Sequence, residues 1–329
     1  MKTKILLTYD YELFLGNRSG SVKECIIDPT NKILELHRKT KTNAIFFIDC
    51  TYLIALNRLR HITQCRENYL LISGQINEII SLNHKIYPHI HPHWHDAIYL
   101  ENEDQWDLSN IRYYKFESLP IELKEYYFKN SMEIIDSFVK NKYPINSYRA
   151  GGWSIQPFGQ FKSFFQKYGI KNDLSVIPGK LVKSNAHLFD FNMERITRMY
   201  QYNDEVNIPV NHGEFNEFPI SSIEFRSIEK WIDFKLSAIQ NKLTTRKNHK
   251  TINVEIFQEF DYFTTNKRIA SSFEALNLLR VIKFIYALRR SKYYHFISHP
   301  KLINSIDLFW MKILLFFMSK YDIETKFEE

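Results

Sequence analysis

Ile5-Leu6-Leu7-Thr8-Tyr9-Asp10-Tyr11-Glu12 begins as an apolar run and turns abruptly acidic. The apolar part reads as a buried strand. Two carboxylates one residue apart are out of place inside such a strand, because Asp and Glu are poor strand formers. They mark its mouth. In a parallel α/β barrel all strand C-termini open on one face, so polar groups far apart in sequence converge there. Taken alone, the acidic pair reads as loop or helix-capping carboxylates; its weight comes from similar endings further along the chain.

Seven more short runs carry strand character: Ala44 to Ile48, Lys85 to Tyr87, Ser147 to Arg149, Leu174 to Ile177, Phe215 to Ile220, Ile252 to Phe257 and Tyr294 to Ser298. Helical patterns follow most of them, at Pro29 to Lys39, Glu122 to Lys140, Phe158 to Tyr168, Ser227 to Asn241 and Ser271 to Ala287. Asp28 before Pro29 makes a good helix start. Strands feeding helices in this rhythm predict an α/β protein with a mainly parallel sheet closing into a barrel. The 329 residues suit one such domain, residues 1-329, with a terminal helix from about 303.

Hydrophobic residues make up 44% and charged residues 25%, which excludes disordered and fibrous classes. The formal charge of +7 favours an anionic partner. Its cations are split among short clusters, Arg38 to Lys41, Lys242 to Lys250 and Arg289 to Lys292, which read as solvated faces and argue against nucleic acid. Cys25, Cys50 and Cys65 are odd in number with no Cys-x-x-Cys, so a reducing compartment and a cytoplasmic location are expected. The basic N-terminus lacks the apolar length of an export signal. Leu308 to Met318, interrupted by Lys312, falls short of the ~18 to 20 residues of a membrane span and reads as a core helix, with a weak peripheral membrane contact through its aromatics left open.

The densest chemistry lies in His84-Lys85-Ile86-Tyr87-Pro88-His89-Ile90-His91-Pro92-His93-Trp94-His95-Asp96, which holds five of the twelve histidines. Neutral imidazole is the commonest nitrogen ligand for transition metals. Two pairs stand four residues apart, His89 with His93 and His91 with His95, a spacing that lets two rings reach one ion. Tyr148-Arg149-Ala150-Gly151-Gly152-Trp153 ends another strand with two of only nine glycines, which predicts positive φ or close backbone approach. Arg149 suits bidentate contact with a carboxylate. Phe296-Ile297-Ser298-His299-Pro300 ends the last strand on a histidine able to donate a proton.

These motifs, in this order, resemble the polysaccharide deacetylase family, the NodB-homology domain of carbohydrate esterase family 4, and within it the WbmS-like subgroup. The resemblance runs from Ile5 to about Leu302 and implies a distorted (β/α)7-8 barrel. It matches Thr8-Tyr9-Asp10-Tyr11-Glu12 to the first motif, with Asp10 as catalytic base and Glu12 as metal ligand. It matches His84 to His93 to the second, with His89 and His93 as the other ligands. Arg149 would hold Asp10, Asp173 would support the acid histidine, and His299 would be that general acid. His91, His95, Trp94, Trp153 and Tyr11 would support the ligands or touch substrate.

The resemblance therefore implies one divalent metal ion, zinc foremost, and hydrolysis of an N-acetyl group on an amino sugar of a surface-polysaccharide precursor. Two alternatives stand beside it. One is a non-catalytic relative that binds glycan or protein. The other is a metal hydrolase acting on a different C–N or glycosidic bond.

Overall fold

The computed structural model describes residues 3–243 and 256–325. Seven parallel strands form the frame: β1 (Lys4–Tyr11), β2 (Ile45–Asp49), β3 (Lys85–Ile90), β4 (Ser147–Ala150), β5 (Asn172–Asp173), β6 (Phe215–Glu217) and β7 (Tyr293–Ser298). They lie side by side in the order β6-β5-β4-β3-β2-β1-β7. The sheet curls, and irregular chain bridges the gap between β6 and β7: Ile220 N donates to Val176 O and Ser221 N to His295 O. The result is a distorted barrel.

Helices coat its outside: α1 (Asp28–Thr40), α2 (Cys50–Arg58), α3 (Thr63–Ser81), α4 (Ile121–Val139), α5 (Gly159–Tyr168), α6 (Ser227–Leu243), α7 (Leu278–Arg290) and α8 (Ser305–Met318). The period of two in a strand sorts its side chains between two layers. Outward-facing Ile5, Leu7, Tyr9, Phe46, Ile48 and Ile86 join the large core beneath the helices. Inward-facing Leu6, Ile45, Phe47 and Tyr87 form a smaller plug in the barrel. Above that plug the same inward positions turn polar, to Thr8 and Asp10 in β1 and His89 in β3.

Several expected boundaries move. Leu174 to Ile177 is irregular, and the strand there is Asn172–Asp173, because Val176 N is taken by the Glu217 carboxylate instead of a neighbouring strand. The strand expected at Phe215 to Ile220 stops at Glu217, before Pro219. Of Ile252 to Phe257, residues 252–255 lie outside the described residues; Ile256–Asp261 pairs antiparallel with Lys180–Ser184 in a separate small sheet and is no barrel strand. The expected Lys242 to Lys250 loop also lies outside the described residues from 244 onward. The helix expected from Ser271 starts at Leu278, where Asn277 caps it by accepting from Arg280 N. α2 and α3 were not expected; Asp49 caps the former by accepting from Tyr52 N. No helix among the described residues is long and apolar enough to cross a membrane.

A buried carboxylate ties α6 to α7. Asp233 Oδ1 accepts from Arg280 Nε at 2.8 Å and Asn277 Nδ2 at 2.9 Å, and Oδ2 accepts from Lys267 Nζ at 2.8 Å. Burial alone would raise its pKa, but these bonds hold it well below the usual carboxylate value. A lowered folded pKa gives stability that is present above the unfolded value of ~3.9 and is lost as pH falls below it. Asp233→Ala leaves two cations unpaired and is expected to cost about 3 to 5 kcal/mol at pH 7. Urea unfolding checks this: the gap between variant and wild type should shrink below about pH 4, and equal midpoints at pH 7 would contradict it.

Candidate metal centre

The polar end of the barrel is built from strand mouths. Period-two alternation turns Asp10, and Glu12 just past the end of β1, toward the interior; it does the same for His89 and His91 at the end of β3. Glu12 Oε2 lies 2.5 Å from His91 Nε2 and 3.3 Å from His89 Nε2. The two Nε2 atoms stand 3.0 Å apart. All three residues are buried.

This trio fits a divalent ion. Two ligands bound tetrahedrally at ~2.1 Å lie about 3.4 Å apart, close to two of the three separations. Glu12 Oε2 makes no well-directed hydrogen bond despite its near neighbours, the state of a buried acceptor open to an ion. His89 and Glu12 are each held by a second contact. His89 Nδ1 donates to the Arg149 carbonyl at 2.8 Å, which leaves the Nε2 lone pair free. Glu12 Oε1 accepts from Lys301 Nζ at 2.7 Å, which leaves Oε2 free.

Burial opposes ionisation of Glu12, yet Lys301 and His91 pull its carboxyl well below the usual range. Asp10 sits next to it. Arg149 Nη1 donates to Asp10 Oδ1 at 2.5 Å. Against the penalty of burial, Arg149 with His89 and His299 lowers the Asp10 pKa, so the carboxylate is charged.

Arg149 is fully buried and spends its other donors within the barrel: Nη2 to Thr8 Oγ1 at 2.9 Å and to His295 Nε2 at 3.0 Å, and Nε to Leu174 O at 3.0 Å. His295 Nδ1 donates to Phe218 O, so its Nε2 accepts. Burial and Arg149 keep this ring neutral, with its pKa pushed down to about 3.

His299, just beyond β7, points Nε2 into the site, 3.6 Å from Asp10 Oδ2 and 3.7 Å from Glu12 Oε1. Its Nδ1 and its backbone N both donate to Glu274 Oε1, at 2.8 and 2.6 Å. Burial disfavours the cation, but Glu274, Asp10 and Glu12 outweigh it and push the pKa up to about 9.

Several expected positions fall elsewhere. The second nitrogen of the trio is that of His91, and not His93; the chain leaves the strand after Ile90, and the turn at Pro92 swings His93 out of the alternation. His93 stacks on Tyr114, with both ring nitrogens lacking hydrogen bonds. The carboxylate on His299 is Glu274, not Asp173. Asp173 Oδ1 instead accepts from Ser175 at 2.6 Å, and burial pushes its pKa up to about 6 beside Glu217 on the neighbouring strand.

Trp94 is buried and donates to Asp49 Oδ2, Tyr11 points outward to Gln75 Oε1, and His95 Nδ1 bonds Tyr127 OH, so none of them lines the trio. Trp153 is half-buried against Phe189. Glu274, Lys301 and His295 were missed. Glu274 lay within an expected helix, Lys301 two residues beyond His299 had only adjacency as a signal, and His295 had none.

The paired glycines are explained by space and torsion. A Cβ on Gly151 would meet Ile90 O and stand 2.7 Å from His91 Nδ1, so the close approach holds that ring. Gly152 has φ +58°, and a Cβ there would lie 2.9 Å from the His187 ring.

No protein-family model and no curated protein matches the sequence. Solved structures do. A Mycobacterium smegmatis protein assigned as a polysaccharide deacetylase superposes with TM-score 0.50 at 10% identity, covering 98% of this chain and 86% of that one. The catalytic domain of a peptidoglycan N-acetylglucosamine deacetylase from Eubacterium rectale gives 0.36 at 11% identity, over 98% and 87%. The Puue allantoinase gives 0.45 at 8% identity, over 97% and 85%. The first of these establishes that the chain has the barrel fold of a polysaccharide deacetylase structure.

If the trio holds the ion, His91→Ala should cost at least tenfold in zinc affinity beyond any loss from His93→Ala. Competition with a chromophoric chelator checks the order; a larger loss from His93→Ala would contradict it.

Proposed function

We propose that this chain is a metal-dependent deacetylase that hydrolyses the N-acetyl group of an amino sugar in a surface-polysaccharide precursor, of the NodB-homology type and akin to its WbmS-like subgroup. The observation that carries the reading is the meeting of three groups at one barrel mouth: the Glu12, His89 and His91 trio, the charged Asp10, and His299. Two imidazoles with one carboxylate suit zinc. An ion held there would polarise the amide carbonyl and make a water easier to deprotonate.

The chain's own groups divide the proton work. Arg149 occupies Asp10 Oδ1, so Oδ2 is the oxygen free to take a proton from the attacking water. His299 carries its proton on Nε2 toward the same space and delivers it to the leaving amine, while Glu274 holds Nδ1 and steadies the imidazolium. Arg149, buried and paired, orients without reacting. The three buried free cysteines support a cytoplasmic place of work.

A second reading is a binding relative that holds no ion. One contact favours it: Lys301 Nζ already neutralises Glu12 at 2.7 Å. Metal analysis separates the two, with about one ion per chain expected for the enzyme.

Acetate release from N-acetylhexosamine oligomers tests the activity directly. Asp10→Asn and His299→Ala should each lower kcat by about a hundredfold or more while His299→Ala keeps its metal; unchanged turnover in either removes that residue from the mechanism. The Glu274 contact sets the alkaline limb. A reaction that needs protonated His299 declines as pH rises through about 9. Glu274→Gln removes the largest stabiliser of that cation, so the limb should move to lower pH in a kcat profile, and an unmoved limb would deny His299 the acid role.

A further inference from the structure

We propose that the outer face of α7 and α8 is a docking surface for an anionic lipid bilayer. The two helices lie side by side on the barrel wall, bridged where Arg289 sits over the Phe317 ring at 5.6 Å. Each turns an apolar stripe to solvent. In α7 it is Leu278, Ile282 and Tyr286, and in α8 it is Phe309, Ile313 and Phe316, with Phe309 59% and Phe316 66% exposed. Spacings of three and four residues put each trio on one helix face.

The charge around these stripes is one-sided. From Leu278 to Lys320 the chain holds eight Lys and Arg, of which Lys301 is spent on Glu12 at the barrel mouth, and a single acidic residue, Asp307. Asp307 is buried, where it accepts from Leu276 N and Gln240, so no carboxylate of these two helices reaches the surface. Arg280 and Lys283 are paired with Asp233 and Glu229 of α6. Arg289, Arg290, Lys312 and Lys320 are exposed among the apolar groups. Two of these cations also lie over exposed rings, Arg290 over Tyr286 at 4.3 Å and Lys320 over Phe316 at 5.9 Å.

Aromatic and aliphatic groups ringed by cations whose stems lie along them are the composition of an interfacial helix face. The acids that border Ile282 and Tyr286, Glu224 and Glu229, lie outside these helices and are already bonded to Asn266 and Lys283; a protein partner of mixed charge does not need a face whose own helices expose only cations. Anionic headgroups do, since each Lys or Arg at such a surface adds about 1 kcal/mol, or roughly fivefold, to binding. The proposal rests on these helices alone and is independent of the reaction at the barrel mouth.

Cosedimentation of the full chain with vesicles of phosphatidylcholine, with and without phosphatidylglycerol, tests it. Binding to the anionic vesicles at low salt is expected, weakening as salt rises, with at least tenfold less binding to phosphatidylcholine alone. Phe309→Ser combined with Phe316→Ser should weaken binding at least tenfold. Arg289→Gln with Arg290→Gln should weaken it by about fivefold per charge. Both pairs are exposed, and circular dichroism confirms folding. Recovery of the wild type in the supernatant with anionic vesicles at low salt would overturn the proposal, as would charge variants that bind like wild type. A concentration-dependent dimer that Phe316→Ser abolishes would assign the face to a second copy of the chain and overturn it too.

Discussion

The barrel mouth depends on one buried cation. Arg149 reaches across the interior from β4, pairs with Asp10 on β1, touches Thr8 on the same strand and His295 on β7, and caps the Leu174 carbonyl beyond β5. Its own carbonyl receives His89 Nδ1 from β3. A guanidinium taken out of water costs several kcal/mol, and only complete pairing recovers that cost. Here one acceptor, Asp10, is part of the site, while Thr8, His295 and the Leu174 carbonyl fix the guanidinium beneath it. Loss of the Arg149 side chain would strip Asp10 of its guanidinium partner while leaving the backbone carbonyl that holds His89 in place.

Around that pair the signs alternate. Glu12 lies against Lys301, and Glu274 against His299. Asp10 and Glu12, both held charged, face His299 from one side while Glu274 faces it from the other. The acid and base of the proposed reaction thereby hold each other charged, with the largest support coming from Glu274 for His299 and from Arg149 for Asp10. The Asp173 and Glu217 pair, lower on β5 and β6, does different work: Ser175 and Val176 N are held by it, which shapes the irregular chain after β5.

The strand mouths were legible in the sequence because an apolar run ending in a polar group has few other meanings. Asp10, Arg149, His89 and His299 announced themselves in that way, and the structure brings them together. The choice of His93 over His91 came from the register of the family resemblance, since the spacing of four fitted two pairs equally; His91 follows His89 by two because extended backbone persists to that point. Glu274 was hidden by an amphipathic pattern that seemed to begin at Ser271, whereas Asn277 caps the helix six residues later. Lys301 and His295 act through tertiary contacts that no local pattern encodes. The barrel's closure by Pro219 to Ser221 was illegible for the same reason, since irregular chain carries no period.

The central claim is that Glu12, His89 and His91 grip a single cation. Anomalous diffraction at the zinc edge, from crystals grown with stoichiometric zinc, tests it most directly. A single strong peak among Glu12 Oε2 and the Nε2 atoms of His89 and His91 is predicted. A peak at other residues, or none with zinc in excess, would contradict it.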